Sequence, residues 1–426
     1  MSFPIDPASA AALAARGLRF DLVDTSDREQ FRRWIDADSR GFHASRFSDE
    51  TAAQYMDGTA DRRTTGVWDD SGADALTPVA TVNSWRAALT VPGEREVDGW
   101  AISSVTVAST HRRRGIARAL LEAELRNAVA DGSPLAMLTV SESTIYGRFG
   151  FAPATLSADY EIDTRKARWI GPAATGRVQF VPLRQLREEA PAIIERKRLA
   201  TPGEITVWSH LWDRTFGLST DDKALADRIR AIRYDDVDGT PQGYALYTLT
   251  ANPHDYSKHT ANVLSLVSVT DDAYAGLWSY LLELDLTTTI KVALRSTDEP
   301  LRFSVSDFRA VRSVDVRDHL WIRLLDVPAA LSARTYAAPL NLVVEVTDEL
   351  GFAAGRYQLH THGTTRVSDE PALTLSVATL SSLYLGGFSA LTLQRARLIT
   401  EHVAGAVSSM DRAFRSAVTP HLPVWF

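Results

Sequence analysis

The stretch Val105–Leu121, VTVASTHRRRGIARALL, decides how the rest of the chain is read. It leaves an apolar strand, AISSVTVA (101–108), crosses a short polar turn and enters a helix. Ala117, Leu120, Leu121, Leu125 and Ala128 recur at helical spacing, which predicts an amphipathic helix from about Gly115 to Ala130. A helix start has unpaired backbone N–H groups and the positive end of the dipole, so it suits a pyrophosphate. In Arg112-x-x-Gly115-x-Ala117 the glycine lets the backbone come close, and Ala117 keeps the entry small. Arg112, Arg113 and Arg114 offer charge-assisted bonds to phosphate oxygens. Taken alone, the pattern reads better as a solvated basic turn. Its place on a strand-to-helix junction, and the TIYGRFGFAPA that follows one helix and one strand later, favour the phosphate cradle.

Outward from that junction, LRFDLVD (18–24) alternates as a first strand. DREQFRRWIDAD reads as a helix with Asp24 or Ser26 as its cap, and strands are expected at Thr65–Trp68 and Val79–Ala87. LAMLTV (135–140) is a buried strand, SESTIYGRFGFAPA a short helix running into a loop, and SADYEID a closing strand. The start, MSFPIDPASAAALAARGLRFDL, is Ala-rich without a basic region ahead of it, so it reads as an arm or short helix and not a secretory signal. After GPAATG (171–176) the order recurs: VQFVPL, the helix RQLREEAPAIIERKRLA, a helical stretch to about Ala231, then GYALYTLT. ANVLSLVSVT, the helix DAYAGLWSYLLELDL and IKVALR follow, a layout that suggests an internal duplication. A third, α+β unit starts near DHLWIRLLDVPAALSA (318–333), with strands LNLVVEVTD, GRYQLHT and ALTLSV and a last helix to about Ala417. Pro420 and Pro423 keep the tail TPHLPVWF out of a helix.

The 426 residues allow two to four domains, and 45% hydrophobic with 23% charged residues is ordinary for a globular protein. A net charge of −7 argues against a nucleic-acid partner and suits a cationic small molecule. The absence of cysteine excludes disulfides, thiolate metal sites and a cysteine nucleophile. No apolar run is long enough to span a bilayer, so no membrane partner is expected and the cytoplasm is the expected location. His360 and His362 could share a strand face as metal ligands, but a solvated strand is the better reading and no metal is expected.

Four segments, HRRRGIARALLEAELR, IYGRFGFAPAT, DHLWIRLLDVPAAL and SSLYLGG, give the chain a closer resemblance. It resembles the Eis (enhanced intracellular survival) acetyltransferases, actinobacterial members of the GCN-five-related (GNAT) N-acetyltransferases. The resemblance implies a mixed α/β (α+β) chain of two tandem GNAT folds and a sterol-carrier-protein-like α+β domain. Their expected bounds are 1–170, 171–312 and 313–426. It also implies acetyl-CoA as co-substrate, a small-molecule amine as acceptor and a homohexamer built as a dimer of trimers. Val105, Thr106 and Val107 would meet the pantetheine arm, Arg112 to Arg118 (with Gly115, Ile116 and Ala117) the pyrophosphate, and Ser141 with Glu142 the thioester end. In the second copy Asp271 and Asp272 stand where the first has arginines and glycine, so that copy is expected to bind no acetyl-CoA.

On spacing alone, Tyr146 is equally a packed core tyrosine beside Phe149 and Phe151 or a proton donor to the departing thiolate. The resemblance favours the general acid. An attacking amine of pKa about 10.4 also needs a proton acceptor. Glu122 and Glu124 lie on the helix after the phosphate turn, and Glu142 lies beside the cofactor. The resemblance assigns the general base to the chain's last carboxylate, that of Phe426, with Val424, Trp425 and Phe426 anchoring the tail by burial. Trp34, Phe42, His43 and Trp425 are the expected substrate-pocket residues. Ala44 or Ser45 stands where relatives carry an acidic residue, which leaves substrate choice open. The resulting expectation is an acetyl-CoA-dependent N-acetyltransferase of aminoglycosides or lysine-like amines, working by direct transfer. The alternatives are a protein-lysine acetyltransferase and a non-catalytic binding or carrier protein. Lipid binding by the third domain is the weaker reading, because its tail is needed elsewhere.

Overall fold

A computed structural model describes residues 4–219 and 223–426. The chain divides into two compact units. The first comprises the chain up to Ala154 with Leu320–Ala417 and Trp425–Phe426, and the second comprises Thr155–His319 with Val418–Val424.

The first unit opens with helix α1 (Pro7–Ala14), strand β1 (Arg19–Leu22), helices α2 (Arg28–Gly41) and α3 (Asp49–Thr59), and strand β2 (Arg63–Trp68). Strands β3 (Ala80–Val91) and β4 (Arg95–Val107), helix α4 (Ile116–Asp131), strand β5 (Leu135–Thr139), the one-turn helix α5 (Ser143–Tyr146) and strand β6 (Ala152–Pro153) follow. Helix α1 realises the expected N-terminal helix and is clamped to α4: Arg126 pairs with Asp6 at 2.8 Å, and the Ser9 hydroxyl donates to Ala119 O at 2.7 Å. The cap of α2 is Asp27, not Asp24 or Ser26. Its carboxylate accepts from the N–H groups of Glu29 and Gln30, while Asp24 closes a local turn by accepting from Ser26 N. Phe31, Trp34 and Ile35 form the buried stripe of α2. Helix α4 ends on Gly132 at φ 80°, where Ser133 N reaches back to Ala128 O, as a left-handed C-terminal cap requires.

The second unit holds β7 (Leu156–Asp163), β8 (Arg177–Phe180), α6 (Leu183–Leu199), α7 (Ser209–Thr215), α8 (Lys223–Arg228) and β9 (Arg230–Asp235). After them come β10 (Pro241–Thr250), β11 (His259–Ser268), α9 (Asp271–Leu282), β12 (Thr287–Arg295) and β13 (Val311–Asp318). The helical stretch expected to about Ala231 ends with α8, and Ala231 itself lies in β9; the part over 220–222 lies outside the described residues.

The two seven-stranded sheets match position by position. The first runs β1-β2-β3-β4-β5, then Leu320–Leu324, then β6; the second runs β8-β9-β10-β11-β12-β7-β13. In each, one pair is parallel (β4 with β5, β11 with β12) and the rest are antiparallel. The sixth place in each sheet is taken by a strand out of chain order: Leu320–Leu324 in the first, and β7, which precedes β8, in the second. Two expectations change accordingly. The SADYEID strand does not close the first sheet but pairs with β12 and β13. Leu320–Leu324, read as the start of the third domain, pairs with β5 and β6 in the first sheet. Sequence order favours pairing of neighbours, and neither strand's residues carry a mark against it.

The remaining sheet, in the first unit, has five strands ordered Gly363–Val367, Gly355–His360, Asn341–Thr347, Leu373–Ser376 and Ile399–Glu401. Arg323, on the interposed strand, makes a buried ion pair with Asp348 at 2.8 Å, and its Nε donates to Phe149 O. No helix among the described residues is long and apolar enough to cross a membrane.

Candidate active site

Strands β4 and β5 are paired only from Gly99–Ala101 to Leu135–Met137. Beyond Ala101, β4 continues to Val107 along β3 while β5 continues along Leu320–Leu324, so the two strands part. A bulge accompanies the split: the β3–β4 register shifts between Thr81 and Asn83, and Ser104 takes φ 56°. Val105, Thr106 and Val107 thus lie on an edge with no strand on the β5 side. That opening is what an extended, amide-bearing cofactor arm requires.

Strand β4 leads into the phosphate turn. Arg113 has φ 63° and Gly115 φ 72°, and no side chain caps α4. A Cβ on Gly115 would stand 1.9 Å from Arg16 Nη1. Arg16 was missed in the sequence. It follows α1 and donates to Arg114 O, while Arg114 Nη2 donates to Arg16 O at 2.9 Å. A cleft of about 540 Å³ between α1 and α4 adjoins the turn, lined by Arg16, Arg113, Arg114, Arg118 and Arg126, with Glu122 its one carboxylate. Arg114 is already committed to Asp69, which also meets His111 Nε2 at 3.0 Å. The Ser71 hydroxyl, with His111, holds the Asp69 carboxyl well below its usual range. Arg112, Arg113 and Arg118 are exposed, Ala117 is half-buried, and the Ile116 side chain sits in the core, so Ile116 has only its backbone to offer. The left-handed glycine, the uncapped helix and the arginines fit a pyrophosphate.

Ser141 and Glu142 are exposed just before α5. Tyr146, at its end, is 6% exposed and packs edge-on against Phe151, with 6.3 Å between ring centres. The ring is therefore a core ring. Its hydroxyl has no hydrogen-bond partner among the described residues. Burial, with the Glu142 charge adding to it, pushes the phenol up to about 12, so it stays protonated. Glu124 is fully buried in an ion pair with Arg63 at 2.6 Å and accepts from Trp100 Nε1, which removes it as a base. Glu122 faces Arg118 and Arg126.

Phe426 lies at the end of β5. Its N–H donates to Thr139 Oγ1 at 3.2 Å, and that hydroxyl donates to Phe426 O at 2.5 Å. Its ring meets Trp85 edge-on at 5.6 Å, and the Arg62 guanidinium covers Trp85 at 3.5 Å. The expected anchoring by Val424, Trp425 and Phe426 is corrected. Trp425 is 39% exposed, and the buried tail residues are Pro420, His421 and Leu422. The tail is held by polar contacts: His421 bonds Leu294 O and His319 bonds Val424 O, each at 2.8 Å.

Trp34 is no pocket residue. It is fully buried, and its indole N–H donates to Thr65 O, because helical spacing puts it on the same stripe as Phe31 and Ile35. Phe42, 50% exposed, and His43, at φ 56°, follow α2 at the surface. One face of β3 carries Thr81, Asn83 and Trp85, with Tyr55 of α3 close by; Thr81 and Asn83 are buried and Trp85 is half-buried. Ser48, which caps α3, and the acidic Asp49 and Glu50 behind it were the available signal for that helix.

Comparison with known proteins agrees with this architecture. Residues 23–154 match an acetyltransferase (GNAT) domain family, 205–334 a second one, and 327–423 a sterol carrier protein domain family. An uncharacterised N-acetyltransferase of Streptomyces avermitilis is 34% identical over 405 residues, 92% of this chain and 96% of that protein. N-acetyltransferase Eis of Mycobacterium tuberculosis is 36% identical over 346 residues, 78% of this chain and 81% of that one. The crystal structure of Eis1 from Mycobacterium abscessus superposes with a TM-score of 0.82 at 30% identity, covering 96% of this chain and all of the other.

Proposed function

The chain belongs to the Eis family of GNAT N-acetyltransferases, and from that premise we propose that it acetylates primary amines of small cationic molecules, aminoglycosides or lysine-like amines. Acetyl-CoA supplies the activated acetyl group as a thioester. The observation that carries the reading is the meeting, in one unit, of an opened β4–β5 edge and the chain's last residue, held on β5 by Thr139.

In this reading the turn from Arg112 to Arg118 binds the pyrophosphate, and the backbone at Val105–Val107 orients and polarises the thioester carbonyl. Tyr146, kept protonated by burial, donates its phenolic proton to the leaving sulfur. The Phe426 carboxylate accepts the proton of the attacking amine, directly or through one water. Thr139 fixes the C-terminal group, so its ordering does not have to be achieved during the reaction. Transfer is direct, in a ternary complex, since no cysteine is present to carry the acetyl group. The assembly that goes with this reading is a hexamer made of two trimers, to be checked by sedimentation.

Lengthening the chain by a few residues beyond Phe426 tests the base assignment, because it moves the carboxylate and leaves every side chain in place. The expected outcome is a fall in kcat of about 100-fold or more, the range of a lost general base, with the KM for acetyl-CoA retained. A lengthened protein that acetylates at the original rate would remove Phe426 from the mechanism. Release of coenzyme A with a peptide lysine but with no small amine would favour the protein-lysine reading. Release with neither would leave a binding protein.

A further inference from the structure

Helix α2 rides directly on the bulged part of β4: a Cβ on Gly41 would lie 2.4 Å from the Thr106 Cβ. Asp38, one helical turn before Gly41, falls on the same side of α2. Its carboxylate is bonded by the hydroxyls of Ser104, at the bulge, and Thr81. Thr81 is itself tied into β4 by bonds to Ser104 O (2.8 Å) and Thr106 Oγ1 (2.6 Å). Strand alternation then places Asn83 and Trp85 on the face that carries Thr81. Trp85 is the residue against which the Phe426 ring stacks.

Two acceptor atoms at the Asp38 end have nothing to accept. Asp38 Oδ1 is shut from solvent without a hydrogen-bond partner, and so is the amide oxygen of Asn83, a residue only 1% exposed. Burial pushes the Asp38 carboxyl up to about 7, opposed only by the two hydroxyls; no cation of the protein offsets it among the described residues. Tyr55 is beside it, hydrogen-bonded to the Ser104 and Asn83 side chains, and the nearby Arg62 guanidinium lies over the Trp85 ring. A buried carboxylate with no counter-ion, next to an amide oxygen with no donor, lacks a compact group with positive charge and several N–H bonds. An ammonium group has three.

We propose that Asp38 and Asn83 form a cation subsite of the acceptor pocket, which receives a second, non-reacting ammonium group while the Phe426 carboxylate faces the reacting one. The preferred acceptors are then molecules with two or more amines. Strand rise sets their span: about 7 Å separates Asn83 from Trp85, and about 13 Å separates Thr81 from Trp85. Diamines with spacers of roughly five to eight carbons match that range, at about 1.2 Å per bond as in a fully extended backbone. The proposal rests on the amine-acetylating reading above.

The test compares 1,5-diaminopentane with n-pentylamine, in the intact chain and in Asp38→Asn, which keeps the side-chain shape. The unaltered protein is expected to favour the diamine at least tenfold in kcat/KM. In Asp38→Asn that selectivity should fall at least tenfold, through the KM of the diamine, with the KM for acetyl-CoA retained as the sign of an intact fold. Asn83→Ala should move the selectivity the same way by less. Equal losses for both amines, taken in kcat, would mean that Asp38 serves the reacting amine and would overturn the proposal; unchanged selectivity would overturn it too. Calorimetric binding of 1,5-diaminopentane needs no turnover. If the diamine binds both proteins equally, the subsite fails, whereas Asp38-dependent binding without coenzyme A release would fail the acetyl-transfer reading alone.

Discussion

The two strand-to-helix junctions of the duplicated fold, β4–α4 and β11–α9, are the same structure with opposite contents. In the first, α4 begins on a left-handed glycine with no side-chain cap, and the strand edge beside it is open. In the second, Thr270 Oγ1 caps α9 by accepting from Ala273 N at 3.1 Å, and Asp272 accepts from Tyr234 Oη and from Thr175. The protein's own carboxylate thus stands where the first copy leaves room for a phosphate. Strands β11 and β12 also part, beyond Val263–Val292, but Arg295 enters the gap, donates to Leu266 O at 3.0 Å and pairs with Glu299. The difference teaches that one sheet order can carry junctions of opposite character, the second with its helix start capped and its strand gap occupied from within.

That contrast can be broken at several points. The largest effect is expected from Tyr146→Phe, which removes the proposed acid and leaves the packed ring: kcat should fall about 100-fold with little change in acetyl-CoA KM. Unaltered turnover would return Tyr146 to the core-tyrosine reading. Gly115→Ala forces a side chain into φ 72° and onto Arg16. At about 1–2 kcal/mol for a left-handed residue, acetyl-CoA KM should rise roughly tenfold, and stopped-flow or steady-state titration reads it directly.

A third effect is on stability and belongs to the second unit, which holds the tail through neutral imidazoles. Burial lowers the ring pKa of His421 to about 3 and of His319 to about 4. Each folded pKa lies below its unfolded value of about 6.5, so below that value the unfolded chain binds protons that the folded one refuses. Their contribution is present above pH 6.5 and shrinks as the pH falls through 6.5 towards 4. Urea midpoints measured from pH 7.5 to 5 should decline, and His421→Gln should flatten part of the slope; an unchanged slope would deny His421 that role. The smallest effect is Thr270→Ala, which should cost about 1 kcal/mol of stability as a lost helix cap and leave acetyl-CoA affinity unchanged. A calorimetric titration ending at two equivalents of acetyl-CoA per chain would break the comparison altogether.

The sequence revealed the first junction because its signals are local: an apolar strand, arginines, one glycine and a helical stripe within seventeen residues. The different content of the second was legible for the same reason, in Asp271 and Asp272. What stayed hidden depends on distant contacts. Arg16 is one arginine after an alanine-rich helix until the fold lays it across Gly115. Asp38 looks like any polar residue of α2 until β4 bulges beneath it. Trp34 was misjudged because an aromatic near a proposed pocket and an aromatic in a helix core have the same spacing. Trp425 was misjudged because apolar tail residues suggest burial, whereas the tail is fixed by histidines bonded to backbone carbonyls.

The out-of-order strand of the first sheet has a consequence for how the molecule is made. The place between β5 and β6 is empty until Leu320–Leu324 has been synthesised, about 170 residues after β6. At about 5–20 residues per second, the nascent chain spends on the order of ten to thirty seconds with that gap open and bare strand edges flanking it, a state prone to wrong pairing. The first sheet, begun earlier, is therefore completed after the second. A gene cut between codons 154 and 155 would yield a first fragment that lacks the Leu320–Leu324 strand of its sheet, which only the second fragment can supply.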